Sequence, residues 1–290
     1  MTLVERLNAY EKLMRLDKPI GVLLLMWPAL WGLWFAACGF PPLDLLMIFL
    51  AGTVLVRSAG CVINDYADRD FDPHVARTRD RPLAARVIQP REALALAGVL
   101  LLTAFAFVLY TNRLTIMLSF VALGLTGIYP FLKRVFSFPQ AWLGIAFGFS
   151  IPMAYAAQFE SVPAVAWVLM IANMFWAIAY DTEYAMVDRD DDVRIGVKSS
   201  AILLGRLDVA GVMTSHAIFL VLMAIVGGWQ KLGALYYAGL VLAALLVYQQ
   251  YRLIRTRERD ACFKAFLDNN RIGLVIFGGL ASDLLLKSWP

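Results

Sequence analysis

Two short acidic stretches, DRDFD at residues 68–72 and DRDDD at 188–192, each place a pair of carboxylates four residues apart. Upstream of the first pair, Arg57 and Asn64 extend the series at spacings of seven and four. On a helix turning about 100° per residue, Arg57, Asn64, Asp68 and Asp72 share one face, with Arg57 deepest. The second stretch repeats the logic with Asp181, Tyr184, Asp188 and Asp192. Carboxylate and amide oxygens without Cys or His suit a hard cation such as Mg²⁺. Such an ion takes only one or two protein carboxylates and completes its octahedron with water and phosphate oxygens. Two facing Asp pairs therefore suit metal ions that grip a diphosphate, with Arg77, Arg81, Lys133 and Lys198 supplying direct contacts to phosphate oxygens. The alternative is a solvated loop in which the aspartates merely pair with these arginines, which leaves the repeated spacing unexplained.

The elements that carry these residues are apolar. Of 290 residues, 61% are hydrophobic and 17% charged, and the apolar residues come in long runs separated by short polar breaks. About 20 apolar residues suffice for a helix to span a bilayer. Spans are expected at 20–38, 43–63, 93–110, 114–132, 140–157, 163–182, 208–227, 232–251 and 267–286. The fold class is then all-α: a polytopic membrane protein of about nine transmembrane helices in a single domain, 1–290. Residues 1–18 form an amphipathic segment, with Leu3, Leu7, Tyr10, Leu13 and Met14 at helical spacing, suited to the membrane surface. Because the first apolar run follows this segment, it is a retained span and not a cleaved signal peptide. Segments 64–92 and 183–207 are expected as loops bearing the acidic motifs. Cys38, Cys61 and Cys262 have no CxxC spacing, and His74 and His216 no ligand spacing, so neither disulfides nor zinc are suggested.

Lys and Arg orient the chain. The N-terminal segment and the breaks after the second, fourth, sixth and eighth spans hold nearly all of them, whereas the opposite side has Arg113, Lys231 and Lys287. Both acidic motifs fall on the basic, cytoplasmic side. The net charge of +4 is thus a topology signal and does not call for nucleic acid.

NDYADRDFD fits the NDxxDxxxD motif of the intramembrane aromatic prenyltransferases, and DRDDD fits their second DxxxD motif. The stretches LMRLDKPIG, RTRDRP, YPFLKR and DTEYAMVDRDDD resemble in particular the 4-hydroxybenzoate polyprenyltransferases of ubiquinone biosynthesis, and the resemblance runs from about residue 10 to residue 280. It implies helices around a central cavity, Mg²⁺ dependence, and prenyl transfer from a polyprenyl diphosphate to an aromatic ring at the cytoplasmic face of the bacterial inner membrane. Asn64, Asp68, Asp72, Asp188 and Asp192 would then hold the metal, whereas Asp70 falls at a variable position. Membrane lipid would admit the prenyl tail.

Arg57, within an apolar span, needs an anionic partner. The carboxylate of the aromatic acid is one, and the resemblance implies it; an ion pair with Asp65 or Asp181 is the other. Tyr129 and Lys133, four apart at a span end, could both reach the diphosphate, although Tyr129 also suits a core or interfacial position. Homogentisate, dihydroxynaphthoate, a tetrapyrrole or haem are alternative acceptors, and a cation transporter is the alternative class. A transporter would place its acids near the midplane. Reporter fusions near residues 80 and 195 are expected to read cytoplasmic and a C-terminal fusion the opposite face. A cytoplasmic C-terminus would mean that a span has been miscounted.

Overall fold

The computed structural model describes residues 2–70, 72–74, 78–196 and 198–288, and these form helices and turns without a strand. The long helices are α1 (Leu3–Met14), α2 (Ile20–Ala37), α3 (Leu43–Asp68), α4 (Pro90–Val108) and α5 (Arg113–Val135). The chain continues through α6 (Pro139–Gly148), α7 (Ser150–Phe159), α8 (Ala164–Ile195) and the short α9 (Ser200–Leu204). It ends with α10 (Asp208–Trp229), α11 (Ala234–Ile254) and α12 (Arg259–Ser288). Among the described residues six helical stretches are long and apolar enough to cross a membrane: α2, α3, α4, α8, α9–α10 and α11. The chain is an integral membrane protein.

Three differences from the sequence reading matter. The expected span 140–157 is two helices meeting at Phe149. Pro152 explains the break, since it has no N–H for the Gly148 carbonyl and its ring crowds that group. The segments 64–92 and 183–207 are not loops at their starts, because α3 continues to Asp68 and α8 to Ile195. Nothing in DTEYAMVDRDDDVRI breaks a helix until Gly196, whose φ of +73° closes α8 as its N–H bonds the Asp192 carbonyl. At about 1.5 Å per residue, the 32 residues of α8 outreach a hydrocarbon core of about 30 Å. Lastly, α1 is not a free surface helix. Ala9 and Leu13 are buried with Val62, Leu83, Ile88 and Ala93, and among its large apolar residues only Leu3, Val4 and Leu7 remain exposed.

The core is aromatic on one side of the bundle. Trp27, Trp31 and Trp34 of α2 are all buried, which favours packing over lipid contact. Trp31 lies 5.1 Å from Trp176 and 5.9 Å from Phe219 between ring centroids, tying α2 to α8 and α10. Next to it α11 and α12 approach so closely that a Cβ on Gly239 would lie 2.7 Å from the Val275 carbonyl oxygen, a small-residue contact common between membrane helices.

One polar hub holds the end of α8. Asp208 at the start of α10 is fully buried and accepts from Arg189 of α8 and, at 3.0 Å, from Nε of Arg257 between α11 and α12. Arg189 also donates to the carbonyls of Ala201 (2.8 Å) and Gly205 (3.2 Å). Removing the carboxylate leaves two arginines without their anion, a class of change that costs about 3–5 kcal/mol when fully buried. Both arginines are partly exposed, so the lower end applies. Asp208→Ala is expected to lower the thermal unfolding midpoint of the purified protein clearly, and an unchanged midpoint would show the hub to be dispensable.

Candidate active site

The first acidic motif straddles a helix end. Arg57, Asn64 and Asp68 lie along α3, but the helix stops at Asp68. Asp72 belongs to a separate 3₁₀ turn, 72–74, so a turn and not a shared helical face brings it near. Asp68 and Asp72 are both buried. Between them in the fold sits Asp65, 1% exposed, which pairs with Arg15 at 2.7 Å and Arg81 at 3.1 Å. Arg81 reaches Asp72 as well, at 2.8 Å, and the Thr78 hydroxyl donates to the Asp72 carbonyl at 2.9 Å. Burial pushes the Asp72 carboxyl above the usual range; Arg81 opposes this, and the charges of Asp65 and Asp68 reinforce it.

The second motif is presented by pinning its neighbours. Asp188 and Asp192 share one helical face, Arg189 and Asp191 flank them on either side, and Asp190 points away and is exposed. Arg189 is fixed on the Asp208 hub. Arg259 of α12 donates to the Val187 carbonyl at 2.7 Å and to Asp191 at 2.8 Å. With both flanks held, the half-buried Asp188 and Asp192 are directed away from α10 and α12.

Arg57 lies deeper. Its guanidinium rests on the backbone of α2: a Cβ on Gly21 would lie 2.4 Å from Nη2. Its other side faces the Phe147 ring, 5.9 Å from the centroid. Nε is buried without a hydrogen-bond partner, and among the described residues no carboxylate lies within ion-pair distance of Arg57. Asp65 is taken by Arg15 and Arg81, so that alternative partner is removed. Asp181 is within electrostatic reach of Arg57 and Asp188, and Gln140 lies beside it. Gln140 Oε1 in turn accepts from the Ser200 N–H at 3.1 Å. Half-buried Tyr129 of α5 lies within electrostatic reach of Asp181, Arg57 and Asp68.

The remaining expected contacts divide. Arg81 is drawn into the Asp65–Asp72 cluster, and Lys198 is exposed just beyond α8. Arg77 and the side chain of Lys133 lie outside the described residues. Among the described residues no three His, Cys, Asp or Glu side chains converge as a cage. The donor set is nonetheless all oxygen, which fits a hard cation whose remaining ligands come from substrate and water.

Residues 25–275 match the UbiA prenyltransferase family. The chain belongs to that family. Over 288 residues it is 62% identical to a 4-hydroxybenzoate octaprenyltransferase of Nitrosospira multiformis, with 99% of each chain covered. Its fold is similar to that of a UbiA homolog from Aeropyrum pernix K1, with a TM-score of 0.80, 26% identity, and coverage of 91% of this chain and 98% of that one. A UbiA homolog from Archaeoglobus fulgidus, bound to GPP and Mg²⁺, gives a TM-score of 0.70 at 18% identity, covering 94% and 99%.

Several residues around the site were not singled out as site residues from sequence. Asp65 with Arg15, Gln140 beside Asp181, and the Asp208 hub all depend on contacts between distant helices. The same is true of a buried set in which Asn269 donates to Glu183 at 2.7 Å and accepts from Trp176 at 3.0 Å, with His216 3.9 Å from Glu183. An ionisable residue inside a predicted apolar span, His216, was the available signal.

Proposed function

We propose that the chain transfers a polyprenyl group from polyprenyl diphosphate to the ring carbon ortho to the hydroxyl of 4-hydroxybenzoate, releasing diphosphate, as a step of ubiquinone biosynthesis. The observation that carries this reading is half-buried Arg57, deeper than the acidic helix ends, whose Nε is buried without a partner and which has no carboxylate within ion-pair distance among the described residues. A diphosphate gripped at the Asp motifs leaves this deeper cation for a second, anionic substrate. A planar guanidinium matches a benzoate carboxylate through two parallel hydrogen bonds. The high identity to 4-hydroxybenzoate octaprenyltransferases supports the same acceptor.

In this reading Asn64, Asp68, Asp72, Asp188 and Asp192 hold Mg²⁺, a role favoured by their oxygen chemistry and by the metal bound to the Archaeoglobus homolog. When bound, the ion neutralises charge that develops on the departing diphosphate. Lys198, Tyr129, Arg77 and Lys133 complete the diphosphate contacts, while Arg81 acts through Asp72. The C–O bond of the donor breaks, the allylic carbon attacks the activated ring carbon, and the ring proton leaves. Apolar helices exclude the water that would quench the cation to an alcohol. The whole of 1–290 acts as one domain in the bacterial inner membrane, with its site toward the cytoplasm.

Two experiments test the assignment. Asp188→Asn is expected to abolish transfer while the protein remains inserted and folded; full activity in that variant would remove the metal role. Arg57→Ala is expected to raise the acceptor KM about ten- to hundredfold, the loss of a charged hydrogen-bond pair worth about 1.5–3 kcal/mol, with the donor KM little changed. Gly21→Ala, which displaces the guanidinium from its bed on α2, should move the acceptor KM in the same direction by less. A rise in donor KM with an unchanged acceptor KM would assign Arg57 to the diphosphate instead.

A further inference from the structure

On the Arg189 flank of α8, beside the Asp188–Asp192 face, lies a depression of about 520 Å³, lined by Arg189, Arg206 and Arg257 over Val193, Ala201 and Ile202. Three arginines line it, and two of them meet a single carboxylate. Asp208 accepts from Arg189 and Arg257 and is fully buried, so two positive charges remain uncompensated. Arg206 is exposed and makes no ion pair among the described residues, and Arg257 Nη2 donates to its carbonyl at 2.9 Å, which keeps the two side by side. Arg189 Nε is buried without a hydrogen-bond partner. Asp191, the neighbouring acid on α8, is already paired with Arg259 at 2.8 Å and Arg194 at 3.8 Å.

We infer that this depression binds the phosphate headgroup of an anionic phospholipid. Guanidinium forks match phosphate oxygens in geometry as well as in charge. The rest of the lining is apolar, and the adjoining Leu203 and Leu207 are exposed, which suits an amphiphile better than a free inorganic anion. The site lies where α8 projects beyond the hydrocarbon core, at the level of headgroups, and basic pockets between membrane helices at that level take anionic lipids. A headgroup bound there would tether Arg189, and with it the helix end that carries Asp188, to the membrane surface.

The test titrates full-length purified protein with phosphatidylglycerol, phosphatidylcholine or inorganic phosphate and follows the thermal unfolding midpoint. Phosphatidylglycerol alone is expected to raise it. Arg206→Gln should weaken the half-saturating concentration about fivefold and Arg206→Glu about thirtyfold, at about 1 kcal/mol per charge near a membrane surface. Because Arg206 is exposed, both variants should match the parent without lipid. An equal response to phosphatidylcholine, or variants that respond like the parent, would overturn the site. A midpoint raised by inorganic phosphate that also blocks phosphatidylglycerol would overturn its assignment to lipid in favour of a soluble anion.

Discussion

A carboxylate at the mouth of a low-dielectric helix bundle must be neutralised, and how each one is neutralised decides what it can do. Asp65 and Asp208 each hold two arginines of the chain itself. They are structural charges, and they tie α1 to α3 and α8 to α10. Asp72 shares one of those arginines with Asp65 and still sits above its usual range beside Asp65 and Asp68. Acidic oxygens gathered at this end of the bundle suit a metal-bound diphosphate, and the other elements serve to keep them there.

The long helices hold the geometry. Because α3 and α8 remain helical to Asp68 and Ile195, the motif side chains keep the directions that helical spacing imposes. Arg189 on one flank and Arg259 on the other then fix the rotation of α8. Deeper in the bundle Gly21 gives the Arg57 guanidinium its place against α2, with Phe147 closing the other side. The result is a vertical separation of charge, with acids above and a lone cation below. A substrate pair made of a diphosphate and a small aromatic acid matches that order.

Much of this was legible in sequence, because it is encoded locally. Apolar runs marked the long helices, and the i, i+4 acids marked the end of the bundle at which acidic side chains gather. Arg57 stood out as a charge inside an apolar run. What was not legible depends on partners far apart in the chain. Asp65 lies inside the NDYAD stretch, yet only the fold shows that Arg15 and Arg81 claim it. Arg81 was expected at the diphosphate for the same reason: its sequence position fits, and its ion pairs are set by tertiary contacts. The overrun of α8 could have been read from the absence of a breaker before Gly196, and the break at Phe149 from Pro152.

The central claim is that one site joins a polyprenyl diphosphate to an aromatic acid. It is tested most directly by mass analysis of product from the purified, membrane-reconstituted protein supplied with 4-hydroxybenzoate and a polyprenyl diphosphate, with Mg²⁺ or with a chelator. The account predicts a ring-prenylated acid, carrying its new bond ortho to the hydroxyl, that forms with Mg²⁺ and disappears with chelator. Release of prenyl alcohol without ring product, or equal product in both conditions, would contradict it.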